Sequence, residues 1–236
     1  MRIAWIFLLV STGCAQVLGL DSPGLTRTVD GGGGGDAAGP GDGVAARCKG
    51  DNFDDELLDP SEWSPFTEAM TQVVEKSMQL ELYIDNTNGS AYCGLDAQTR
   101  LATTDTGVQL QIIQPSPDNA SEVALVLRQG NANQLIFGKA GSDLQAIVKT
   151  NGADNSKSEP WSVDQHRFLR IERDFGNAVT FSTSADGSVW APMWSTTASF
   201  ASQDLQPQIY AGHYMQVPSA TVAVDNFVVL APGCVP

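Results

Sequence analysis

The chain has 236 residues, 42% of them apolar, enough for one sandwich-sized core with appendages and short of two full domains. Lysine and arginine number 13 against 27 aspartates and glutamates, a formal charge of -14, so the surface repels a phosphate backbone and nucleic acid is excluded as a partner. The acids are scattered rather than blocked, which favours solubility and leaves room for a cation.

At the N-terminus Arg2 precedes the apolar run Ile3 to Val10, far shorter than the roughly 20 residues of a membrane-spanning helix, and small residues follow. Residues 1–13 therefore read as an export signal. Its end, Ser11-Thr12-Gly13-Cys14, is similar to the lipobox of bacterial lipoproteins, with Ser11 standing where leucine is usual. That similarity implies cleavage before Cys14, lipidation of Cys14, and a cell-envelope address. Ala15, where an aspartate would favour inner-membrane retention, points to the outer membrane. An ordinary export signal with a chance cysteine is the alternative. Residues 14–47 are rich in glycine, aspartate, alanine and proline, too polar to build a core, and read as a flexible tether spanning on the order of 30 Å. Gly31 to Gly35 are not a phosphate loop, because no strand precedes them and no lysine follows.

With Cys14 lipidated, Cys48, Cys93 and Cys234 remain, and export permits one bridge among them. Cys48 and Cys234 bracket the globular segment, residues 48–236, and the ends of a domain commonly lie close together, so that pair is expected. Cys48 to Cys93 is the competing pair; in the first case Cys93 is a small buried hydrophobe.

From Cys48 onward apolar residues recur with a period of two. Leu80, Leu82 and Ile84 alternate with Glu81 and Tyr83, and Val108, Leu110 and Ile112 with Gln109 and Gln111. Similar runs begin near Glu122, Gln134, Leu144, His166, Ala178, Pro207 and Ala220, separated by turn residues. No long amphipathic helix competes; at most a turn forms around Asp59 to Phe66. In the run Val179 to Trp190, Val179 and Phe181 face one side, Thr180 and Ser182 the other, Asp186-Gly187 makes the turn, and Trp190 is expected to return to the core. The fold class is all-β, a two-sheet antiparallel jelly roll.

The order of "HRFLRIER", "VTFSTSADGSVW", "YAGHY" and "VDNFVVL" resembles the C-terminal half of concanavalin A-like lectin and glucanase domains, the jelly rolls related to laminin-G modules. "DNFDD", Asp51 to Asp55, followed by Trp63, looks like that family's opening strand. The resemblance spans about residues 51 to 230 and implies a concanavalin A-like sandwich.

A glucanase of this family would carry two carboxylates within a strand motif Glu-x-Asp-x-x-Glu, which this chain lacks; Glu81 with Asp85 and Glu172 with Asp174 are incomplete matches. No nucleophile elbow is present, and His166, expected at the surface, and His213 are the two histidines, so zinc is not expected. Non-catalytic sugar binding fits better, with Trp161, Trp194, Tyr210, His213 and Tyr214 as candidate contacts and Trp63 and Trp190 as core residues. Packing is the competing role for each candidate. Asp51, Asp54 and Asp225 lie near the two ends of the domain, and relatives of this fold carry a structural calcium there, so calcium is a possible cofactor. The expected protein is therefore an exported, lipid-anchored module that is not an enzyme and binds a glycan or surface polymer. A structural or envelope-protein-binding module is the alternative, and a glycoside hydrolase on the same fold the weaker one.

Overall fold

A computed structural model describes residues 48–85, 89–116 and 119–234. The residues read as an export signal, Cys14 and the residues read as a tether fall outside the described residues. Period-two alternation becomes alternation of faces, and fifteen strands form among the described residues. They are β1 (Lys49–Asp51), β2 (Trp63–Thr67), β3 (Gln72–Glu75), β4 (Leu80–Ile84), β5 (Ala91–Ala97), β6 (Gly107–Gln114), β7 (Ser121–Arg128) and β8 (Gln134–Ala140). There follow β9 (Asp143–Thr150), β10 (Ala153–Pro160), β11 (Phe168–Arg173), β12 (Ala178–Ser184), β13 (Ala191–Thr197), β14 (Gln206–His213) and β15 (Ala220–Leu230). The described residues contain no helix.

The strands pair antiparallel into two sheets. One has eight strands in the order β13-β12-β11-β6-β15-β4-β3, with β1 added to β15; the other has seven in the order β10-β9-β8-β7-β14-β5-β2. One face of each sheet turns inward. Leu80, Leu82 and Ile84 on β4, and Val108, Leu110 and Ile112 on β6, meet Val123, Leu125 and Leu127 on β7 and Ile209 and Ala211 on β14 in one continuous core. Phe137 and Phe181 cross edge to face at 5.4 Å, and Trp63 meets Phe227 at 5.0 Å, so Trp63 is the core residue that was expected. This is a jelly-roll sandwich, as the periodicity implied. The edge strands β10 and β13 are joined where Lys157 Nζ donates to the Met193 carbonyl at 2.6 Å.

Cys48 and Cys234 form the disulfide, with Cα atoms 4.9 Å apart and 186 residues between them in sequence, and Cys93 is buried and free. Three local expectations need correcting. Trp190 does not enter the core: its ring lies over Arg170, 3.7 Å from the guanidinium carbon, on the outward side of the eight-stranded sheet. It stays there because its indole N–H is held by the Gly187 carbonyl at 3.1 Å and β13 begins only at Ala191. His166 is 5% exposed rather than superficial, since its Nδ1 accepts from the Ser162 backbone N–H and its ring packs on Trp161. The opening strand ends at Asp51; the rest of "DNFDD" is a loop that drops Phe53 into the core.

Candidate functional site

The outward face of the seven-stranded sheet is a grid whose rows follow from register. Tyr92 on β5 stands beside Gly212 on β14, which stands beside Glu122 on β7. The next row is Gly94, Tyr210, Ala124 and Gly138, and the next Asp96, Gln208, Val126 and Ile136. A further row brings Gln206, Arg128, Gln134 and Lys149 together. These residues alternate with the core residues of the same strands, so all of them point away from the core.

The first row shows why its sequence is needed. A Cβ on Gly212 would lie 2.2 Å from the Tyr92 ring and 2.6 Å from the Ala91 carbonyl oxygen. Without one, Tyr92 crosses the whole width of β14 and its hydroxyl donates to Glu122 Oε1 at 2.7 Å. Tyr210, edge-on to Tyr92 at 5.9 Å, donates to the other oxygen, Oε2, at 3.3 Å. Burial, and then the Glu122 carboxylate, push both phenols above their ordinary range, so they remain hydroxyl donors at every ordinary pH.

The opposite end of the face is an ion pair with amide partners. Arg128 Nη2 lies 2.9 Å from Asp96 Oδ2, Gln208 donates to Asp96 Oδ1 at 2.8 Å, and Arg128 Nε donates to Gln206 Oε1 at 3.3 Å. Between the two ends Ala124 and Val126 are 3% and 1% exposed although they face outward. Taller neighbours cover them, so the surface of the sheet here is made by the half-buried side chains of Tyr92, Tyr210 and Ile136, with amides and charges beyond them.

Of the five aromatic candidates, the structure brings two to this face. Tyr210 is in its second row, and Tyr214, half-exposed just beyond β14, donates to the Asn119 carbonyl at 3.2 Å beside the same end. His213 points inward, is fully buried, and has Nδ1 2.6 Å from the Met215 carbonyl. Trp194 stacks on Phe181 at 5.6 Å along the margin of the core, and Trp161 packs there against His166. Tyr92, Glu122, Asp96 and Arg128 were not singled out from sequence. Their signal was present as Tyr-x-Gly-x-Asp and Glu-x-Ala-x-Val-x-Arg, polar ends bracketing small or apolar centres on one strand face.

The carboxylates proposed for calcium share a neighbourhood: the charges of Asp54 and Asp51 act on Asp225. They are engaged by protein donors, however. Asp51 accepts from the Trp63 indole at 2.7 Å and from the Phe53 N–H at 2.8 Å, and Asp225 from the Asn226 backbone and amide. Among the described residues no three acids, cysteines or histidines converge as a metal-ligand set, so this arrangement does not fit calcium as it stands.

No protein-family description matches this sequence, and no curated protein resembles it in sequence. Solved structures do resemble its fold. A β-1,3-glucanase from Mycobacterium marinum superposes with a TM-score of 0.57 at 12% identity, over 79% of this chain and 99% of that one. A pseudo β-1,3-glucanase and immunostimulatory antigen of Mycobacterium tuberculosis gives 0.59 at 12% identity, over 79% and 99%. A laminarinase from Flavobacterium gives 0.59 at 8% identity, over 76% and 97%.

Proposed function

We propose that the domain binds a neutral glycan, without turning it over, along the outward face of the seven-stranded sheet. The observation that carries this reading is the register that sets the half-buried rings of Tyr92 and Tyr210 and the side chain of Ile136 on the same outward face as Asp96, Arg128, Gln134 and Gln206. A pyranose ring needs an apolar floor against its C–H face and fixed donors and acceptors for its hydroxyls, and both stand here on paired strands. The glucan-related names of the solved structures that share the fold make β-glucans the first ligands to try.

Absence of turnover is part of the proposal. The three carboxylates at the tyrosine and amide ends already serve protein donors: Glu122 two tyrosine hydroxyls, Asp96 Arg128 and Gln208, Glu68 the Tyr92 N–H. A hydrolase of this chemistry keeps two acids free, about 5 to 10 Å apart across the sugar bond. Glu122 and Asp96 stand four residues apart along the strands and two strands apart across them, about 16 Å between backbones by ordinary sheet spacing. The same proposal retains Cys14 as the lipidated anchor of an exported, outer-membrane protein.

The test is binding of the full chain to a glycan array, with release of reducing ends measured in parallel. The expected result is saturable binding to one neutral glycan class, weakened at least tenfold by Tyr210→Ala, with no sugar released, and loss of membrane association in Cys14→Ser. Binding that survives Tyr210→Ala unchanged would remove the site from this face, and sugar release would make the protein an enzyme.

A further inference from the structure

A second site lies on the opposite sheet, and it is built around an arginine that the fold leaves unspent. Arg170 projects outward from β11 between Gln109 on β6 and Ser182 on β12. Its Nη2 donates to Gln109 Oε1 at 2.8 Å, while the nearest carboxylate oxygen, on Glu172, is 3.9 Å from Nη1, too far for a hydrogen bond. Its Nε–H is buried and has no acceptor, the only such side-chain atom among the described residues. Three residues on, Arg173 shows how this chain treats a structural guanidinium: four carbonyl oxygens, of Ala102, Asp105, Ala201 and Gln203, receive its N–H groups. Arg170 has one. Native proteins rarely leave a buried donor unmade, so the unmet Nε–H marks Arg170 as a guanidinium that the fold does not saturate.

The surroundings define the partner that would saturate it. A cavity of about 350 Å³ opens beside Arg170 and is also lined by Glu172, Trp190, Thr106, Ser188 and Leu230. Trp190 roofs the guanidinium at 3.7 Å, and the loop that carries it is fixed in place. The Asp186 carboxylate accepts from Ser184, Ser188 and Val189, and the Ser184 hydroxyl accepts from the N–H groups of Asp186 and Gly187. Gly187 is at φ 78°, beneath the Phe168 ring, where a Cβ would sit 3.2 Å from the ring edge. The aromatic plane, the guanidinium and the hydroxyls are thus held in one geometry before any ligand arrives, which lowers the cost of binding.

We propose that this cavity binds the carboxylate of an acidic sugar, a uronic acid unit, with Arg170 gripping the carboxylate and Trp190, Thr106, Ser188 and Glu172 receiving the ring and its hydroxyls. A guanidinium fork with free N–H groups matches a planar carboxylate in two parallel hydrogen bonds, which an ammonium cannot do. The volume admits one monosaccharide unit, and the wall formed by Trp190 and Leu230 gives the ring an apolar side that a bare anion would not use. This site is separate from the one proposed above, since it belongs to the other sheet.

The test follows the Trp190 indole N–H resonance in nitrogen-proton correlation spectra of the full chain, assigned by its loss in Trp190→Phe. Methyl β-D-glucuronide, methyl β-D-glucoside and acetate are titrated at matched ionic strength. The expected result is a saturable shift with the glucuronide at millimolar concentration and at least tenfold weaker responses to the glucoside and acetate. Arg170→Lys abolishes the response while the other indole resonances and the melting temperature stay in place; Tyr210→Ala leaves the response intact. No saturable shift, an equal response to the glucoside, an equal response to acetate, or persistence in Arg170→Lys overturns the proposal.

Discussion

Arg173 is 6% exposed, and its guanidinium closes two loops at once, residues 102–105 and 201–203. Replacing it with methionine fills much of the space but strands four carbonyl oxygens. We expect Arg173→Met to lower unfolding free energy by about 3–5 kcal/mol in urea titrations, since hydrogen bonds to charged groups contribute ~1.5–3 kcal/mol each and act here as a unit. In "FLRIER" alternation puts Arg173 on the inward face with Leu169 and Ile171 and Arg170 on the outward one, and that inward position is the sole clue to the burial of Arg173. His166 left no such clue. Its burial depends on a backbone donor four residues earlier and on the Trp161 ring, which no period reveals.

The strands legible from sequence were those with one apolar side, such as β4, β6, β7 and β11, because period-two hydrophobicity records burial. β10 is a full-length strand with the sequence "ADNSKSEP" and almost every residue exposed; it pairs with β9 over all eight residues and leaves no hydrophobic trace. An edge strand written this way resists pairing with other chains, which explains why it reads as a loop. β1 and β3 are short and bring acids together: Glu75 ends β3 almost fully buried, with its carboxylate bonded to the Asp55 N–H and with Asp51 and Asp55 nearby. Burial first, and those neighbours second, raise its pKa above the ordinary carboxylate value. A raised folded-state pKa means the folded protein holds the proton more tightly than the unfolded chain, so ionisation of Glu75 opposes folding near neutral pH. Glu75→Gln should therefore melt higher than the parent at pH 7, and the difference should shrink as pH falls through the raised pKa and vanish near the ordinary carboxylate range. Thermal scans of both proteins from pH 7 to pH 4 check the sign. Added calcium that raises the parent melting temperature after chelation would restore Asp51, Asp54 and Asp225 to the role of ligands.

At the scale of the molecule, the all-β class and the sandwich were readable because nearly every apolar run was short and alternating, and turn residues separated the runs. The candidate face was not readable, since it depends on which distant strands lie side by side. Tyr92, Gly212 and Glu122 are neighbours only because β14 enters between β5 and β7, strands separated from it by about 80 or more residues. The disulfide acts at this scale too. Closing a loop of 186 residues removes enough freedom from the unfolded chain to stabilise the fold by about 5 kcal/mol on the chain-entropy account. Reduction should lower the urea midpoint and steepen the dependence on urea, because the released unfolded chain exposes more surface, as measured with and without a strong reductant. The same bond also governs how the domain carries load. β1 is three residues long and lies antiparallel along β15 from Lys49 against Val229 to Asp51 against Phe227. Tension entering at Cys48 would otherwise open that ladder one rung at a time, like a zip; with Cys48 bonded to Cys234, the pull is shared covalently with the C-terminal end of the chain beyond β15, and the short strand no longer bears it alone.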